Sequence, residues 1–262
     1  MKISPDTRLL EPGESSLSIL SAAILGLRDL NRPTNPFRLG LLWLILDPFF
    51  TTAIYGFLII IVRGNFTGWS ILVGILTLQS LNRPISSNMT AKLTTEPFPL
   101  MHTSTRPILV SRFTAGAAQG LLYGISGSFV IFLLSDTPNS LFVQLPIVCI
   151  LLSFIGVSIG LLISPVTDVF KDLEKLFTYA LLLSFFLQAV LYDYHSTSGL
   201  HQEVLSYMPH TLGVEWLRSI VSGRDFPFSF THSLQVISFW LMISIIGVSR
   251  INRARWRLTS WD

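Results

Sequence analysis

Charge is what this sequence has least of. Only 13% of its 262 residues are Asp, Glu, Lys or Arg, against 50% hydrophobic ones, where an average soluble domain carries about 25% charged residues. A water-soluble fold of this size has more surface than so few charges can cover. The same numbers exclude a disordered or collagen-like chain. Cysteine is nearly missing: Cys149 stands alone, which excludes a disulfide framework and any zinc site built on cysteines.

Catalytic patterns are missing as well. None of Lys2, Lys92, Lys171 and Lys175 follows a glycine, so no Gly-Lys-Ser/Thr loop exists to cradle a nucleotide phosphate. The five histidines are scattered and form no His-Glu-x-x-His pair; His201 and Glu203 are close but have no third ligand. No Gly-x-Ser-x-Gly elbow occurs, and no span carries a pair of carboxylates. A membrane protease, a metal-dependent enzyme and an ATPase in its own right are unsupported, and no pattern asks for a metal or a cofactor. No internal repeat is evident, which argues against the inverted-repeat carriers. The first 35 residues are polar and lack the apolar stretch of a signal peptide.

What is present is apolar length. Mean hydropathy is +0.59. A spanning helix needs about 20 mostly apolar residues, and six stretches approach or reach that: 39–62, 66–81, 108–134, 141–164, 173–191 and 230–248. The second is short and ends at Asn82-Arg83-Pro84. Of the 18 Lys and Arg, all but Arg63, Arg218 and Arg224 fall in the N-terminus, the C-terminus and alternate connecting segments. The positive-inside rule then puts both termini in the cytoplasm, which requires an even number of spans and supports the short second one. The expected fold is all-α: an integral membrane protein with six transmembrane helices. Its parts are a cytoplasmic N-terminus (1–38), a six-span membrane domain (39–250) and a basic cytoplasmic tail (251–262).

Two segments outside the spans are amphipathic. Residues 15–30 place Leu17, Leu20, Ile24 and Leu27 at helical spacing, with Arg28, Asp29 and serines elsewhere. This reads as an interfacial helix, either a plain anchor or a docking surface for a cytoplasmic partner. Residues 90–112 read as a polar cytoplasmic loop with a short helix. Residues 193–229 are partly apolar yet broken by Gly199, Pro209, Gly213, Gly223 and Pro227. They read as short helices at, or re-entering, the outer leaflet between the fifth and sixth spans.

Inside the spans, Asp47 is the one ionisable residue well away from an end. It is a proton site, the partner of a nearby arginine, or a group at a water-filled interface. Gly116, Gly120 and Gly124 form a close-packing face, within the chain or between two copies. Trp43, Phe49, Phe50, Tyr55 and Phe57 are aromatics that serve either as an interfacial belt or as a stacking surface for sugars.

Three stretches carry a resemblance. Arg38-Leu39-Gly40-Leu41-Leu42-Trp43 followed by Leu46-Asp47-Pro48 resembles the opening of type-2 ABC exporter permeases, "R-L-G-x-L-W" then "L-E-P". Met208-Pro209 with Glu215-Trp216-Leu217-Arg218 is similar to that family's "N-P-L-V-H-x-x-E-x-x-R" before the last span. The Pro, Glu and Arg match; Met208 and Leu212 stand at the Asn and His positions, and His210 lies two residues early. Residues 168–175 resemble the acidic segment before the fifth span. The resemblance runs in order through nearly the whole chain and is nearest to capsular and O-antigen polysaccharide exporters.

It implies a homodimer in the inner (cytoplasmic) membrane, driven by two copies of a separate ABC ATPase subunit and moving a lipid-linked polysaccharide. Trp43, Phe49, Phe50, Tyr55 and Phe57 would line the channel. The helix bearing Leu17, Leu20, Ile24, Leu27, Arg28 and Asp29, with the loop after the second span, would couple to the ATPase. Glu215, Trp216 and Arg218 would belong to a helix at the outer mouth. Two other readings remain: an ABC permease for a drug, peptide or lipid, and a non-transporting membrane scaffold.

Overall fold

The computed structural model describes residues 19–31, 42–63, 69–89, 105–134 and 140–258. Leu17, the breaker at 32–36 and most of the expected cytoplasmic loop lie outside them.

Apolar backbone away from water must satisfy its own hydrogen bonds, and a helix does this within one segment. Among the described residues all the regular structure is accordingly helical: α1 (Ile19–Asn31), α2 (Leu42–Arg63), α3 (Trp69–Met89), α4 (Thr105–Leu134), α5 (Ser140–Val169), α6 (Lys171–Leu187), α7 (Gly199–Ser206), α8 (Pro209–Ser222) and α9 (Phe230–Leu258), with a short 3-10 turn at Tyr194–Ser196. Among the described residues three stretches are long and apolar enough to cross a membrane: Arg106–Leu133, Ser140–Thr167 and Phe230–Ser249. The chain is a membrane protein.

The outer surface agrees. Leu121, Ile125, Phe129 and Phe132 make an exposed stripe on α4, and Leu234, Ile237, Leu241 and Ile245 make one on α9. Such stripes are costly in water and neutral in lipid.

Helix α5 is the hub, packed by α3, α4 and α9. Small residues let the backbones meet. A Cβ on Gly116 would lie 2.5 Å from Val157 Cγ2, one on Gly120 2.6 Å from the Cys149 carbonyl oxygen, and one on Gly124 2.3 Å from Pro146 Cα. The glycine face of α4 therefore packs within the chain, against α5. Gly156 and Gly160 of α5 meet α3 in the same way, at the Leu81 and Ile85 carbonyls. Leu72, Leu76, Tyr123, Ile131, Leu145 and Cys149 fill the core between these three helices.

One sequence expectation fails here. Pro84 does not end the helix of the second apolar stretch; α3 continues through it to Met89. A proline inside a helix leaves the carbonyl four residues back without its donor. That carbonyl belongs to Ser80, and Ser153 Oγ of α5 donates to it at 2.9 Å. The neighbouring helix repairs the break, and Arg83 sits on a helix instead of in a loop.

Helices α5 and α6 meet at a sharp corner on Phe170, with φ −119° and ψ 89°. Asp172 and Glu174 lie in the first turn of α6, where carboxylates complement the helix dipole. No residue of α6 is buried.

Candidate functional site: a buried hairpin and an aspartate–arginine pair

The segment between α6 and α9 builds the first site. Pro209 occupies the first turn of α8, where its missing N–H costs nothing. Gly223, with φ 64°, ends the helix in the left-handed conformation that favours glycine. Between these ends α8 packs against α3 and α5. His210 is fully buried and its Nε2 donates to the Gly74 carbonyl at 3.0 Å, with Thr77 Oγ1 3.1 Å away. Val214 and Leu217 are fully buried too. A Cβ on Gly213 would lie 2.8 Å from Val148 Cγ1. Further along, Trp216 Nε1 donates to Gln144 Oε1 at 3.1 Å, and Arg218 reaches Ser70.

These partners fix the depth. Thr77 is roughly 12 Å along α3 from Trp69 at 1.5 Å per residue, and Ser70 is beside it. The start of α8 is thus buried deepest and its end lies near the start of α3. Helix α7 leads down to it, and the turn at Tyr207 is held by Trp240 Nε1 of α9, which donates to the Tyr207 carbonyl at 2.8 Å. Together α7 and α8 form a hairpin that dips into the bundle and returns.

An ion pair locks it. Arg218 Nη1 donates to Glu215 Oε1 at 2.8 Å, and both side chains are only 6% exposed. Arg218 also donates to the carbonyls of Tyr192, Val190 and Ser70 at 3.1, 3.1 and 3.3 Å, and Glu215 accepts from the Tyr194 backbone N–H at 3.2 Å. The pair therefore ties α8 to α3 and to the chain leaving α6. Beside it is a cavity of about 140 Å³ lined by Trp69, Asp193, His195, Arg224 and Asp225 as well as the pair. Trp216, Phe226, Phe228 and Tyr194 form an aromatic cluster over this region. Burial raises the Tyr194 phenol above its ordinary pKa, and the Glu215 charge adds to the effect.

The second site lies between α2, α3 and α4. Arg83 Nη1 donates to Asp47 Oδ2 at 2.5 Å, and the guanidinium stands 5.5 Å from the centre of the Tyr123 ring. Asp47 is thus the partner of an arginine, one of its three expected roles.

The other residues singled out in the sequence are dispersed. On α2, Phe50 and Phe57 are exposed on one outward stripe with Ile54 and Ile61. Trp43 and Phe49 are half-buried, and Tyr55 stacks on Phe185 of α6 with ring centres 6.5 Å apart. The five aromatics do not share one face. On α1, Leu20, Ile24, Leu27 and Arg28 are exposed, and the buried contacts are Ala22 and Gly26 against α4. A Cβ on Gly26 would lie 2.2 Å from the Ser111 carbonyl oxygen. The Asp29 side chain is outside the description.

Sequence reasoning missed the hydrogen-bonding partners of Arg218 and the small face of α1. It also missed a run of polar residues on α3, although that run repeats at helical spacing and was there to be read. Among the described residues no three His, Cys, Asp or Glu side chains lie close enough to hold a metal ion. In comparison with known proteins, the sequence matches no family model and no curated protein.

Proposed function

We propose that this chain is the membrane subunit of an ATP-driven ABC exporter that moves a lipid-linked surface polysaccharide across the inner membrane. In this reading α2, α3, α4, α5, α6 and α9 are its six spans. Both termini are cytoplasmic, two copies form the conduit, and two copies of a separate ATPase subunit supply the energy.

The observation that carries the reading is the α7–α8 hairpin. One of the three stretches by which the sequence resembles exporter permeases, residues 208–218, builds its second helix. Pro209 starts α8, and Glu215 and Arg218 lock it to the bundle. A second support is the placement of α1. It rests on α4 beside Ser111 through Ala22 and Gly26, in the first two turns of α4, and keeps Leu20, Ile24, Leu27 and Arg28 outward. A cytoplasmic subunit pushing on that face moves α4 directly.

Deletion of the chain from its host tests the cargo. Surface polysaccharide disappears, glycan accumulates inside the cell, and expression of the intact chain restores export. Normal surface glycan in a clean deletion strain contradicts the reading.

A further inference from the structure

The inner half of α3 is too polar for lipid. Gln79, Asn82, Arg83, Ser86 and Ser87 recur at i, i+3, i+4, i+7 and i+8, which places them on one face. The opposite face, with Leu78, Leu81, Ile85 and Met89, is buried in the bundle. The polar face is half-buried, and exposed at Ser87.

Two helices flank it. On one side is α2, through Asp47 and Arg83. On the other is α6, where Asn82 Nδ2 donates to the Leu181 carbonyl at 3.2 Å and to Ser184 Oγ at 3.0 Å. Two turns beyond Asp47, roughly 12 Å further along α2, the flanking helices meet: Tyr55 stacks on Phe185 with ring centres 6.5 Å apart and planes at 24°.

The ion pair lies deep. The Arg83 guanidinium points to Tyr123, which is just past the middle of the Arg106–Leu133 stretch of α4. It turns away from the near end of α3, so it does not snorkel to that surface. Yet Arg83 and Asp47 are 40% and 45% exposed. A charged pair inside a membrane faces water or another polar group, so this face is not covered by lipid.

We infer that the polar face of α3 floors a water-filled groove between α2 and α6, open to the cytoplasmic side and closed near mid-membrane by the Tyr55–Phe185 stack, along which a neutral, hydroxyl-rich chain enters. The chemistry of the floor sets the ligand class. Asp47 and Arg83 cancel in charge, and the remaining groups are amides and hydroxyls. Such a floor hydrogen-bonds polyols and holds no net charge for an anion or a cation. The inference takes its sidedness and cargo from the exporter reading; the groove itself stands on the α3 face and the exposed ion pair.

The only thiol, Cys149, is fully buried, so the native chain is a silent background for thiol labelling. Gln79→Cys, Ser86→Cys and Ser87→Cys are placed in the groove one at a time, and Ile125→Cys marks the exposed apolar stripe of α4. Vesicles carrying the full chain are treated with a charged, membrane-impermeant thiol reagent, and labelling after denaturation confirms each thiol. In inside-out vesicles the groove positions label at least about tenfold faster than Ile125→Cys, because only a wetted thiol ionises. In right-side-out vesicles they stay unlabelled, and maltoheptaose slows the labelling of Ser86→Cys from the cytoplasmic side.

Groove positions as slow as Ile125→Cys overturn the groove, whether lipid or a dry partner surface covers that face. Labelling from the outside overturns the closure at Tyr55–Phe185, and no protection by maltoheptaose overturns the ligand class. None of these readouts needs the ATPase. Fast labelling in a chain that binds no ATPase keeps the groove and removes the exporter.

Discussion

At the scale of single residues, Arg218 is the hub of the contacts that α8 makes with its neighbours. Its two terminal nitrogens hydrogen-bond to one carboxylate and three backbone carbonyls, and Nη1 lies 3.7 Å from a second carboxylate, Asp193. Only a planar fork of donors can satisfy these at once. Arg218→Ala leaves Glu215 buried without its counter-ion, which costs about 3–5 kcal/mol in comparable sites. We expect a large fall in the thermal unfolding temperature of the detergent-solubilised chain. Arg218→Lys recovers little of it, since an ammonium cannot reach all four acceptors. An unfolding temperature unchanged by Arg218→Ala contradicts the lock. Glu215 and Arg218 were legible in the sequence as matches to a motif, and Asp47 as a lone carboxylate with pairing to an arginine among its readings. Their partners were not. The carbonyls of Ser70 and Val190 lie 148 and 28 residues away from Arg218, and backbone groups carry no side-chain signature.

Among elements, the contact of α4 with α5 depends on small residues more than on any polar bond. With no hydrophobic drive between helices inside lipid, close backbone approach supplies the packing. Gly120→Ala puts a methyl 2.6 Å from the Cys149 carbonyl oxygen and 2.5 Å from Ser153 Oγ. Overpacking of this kind costs about 1–3 kcal/mol. The expected result is a lower unfolding temperature with the helix content retained; an unchanged temperature means that α4 and α5 are not as close as described.

The apolar lengths of α4, α5 and α9 were plain from composition, and the breaks at Pro209 and Gly223 marked α8. The end of α3 was not legible, because Pro84 reads as a terminator until Ser153 is found beside it. Periodicity found the apolar stripe of α1, and the structure leaves that stripe outward. The helix docks instead through Ala22 and Gly26, two residues that a hydrophobic pattern passes over.

For the whole molecule, the outward surfaces separate by chemistry. Helices α4 and α9 present apolar stripes that suit lipid. The inner half of α3 presents a polar face, and the hairpin closes the opposite end of the bundle with a buried ion pair. In the exporter reading proposed above, the polar face is the entry, the hairpin stands at the far end, and a separate subunit supplies the energy. The most direct measurement is recovery of the tagged chain from its own host in mild detergent, with mass spectrometry and an ATPase assay on the product. The account predicts a stoichiometric partner that carries a nucleotide phosphate loop, and ATP hydrolysis that is lost when the partner is removed. Recovery of the chain alone, under conditions where a control membrane complex stays intact, would contradict it.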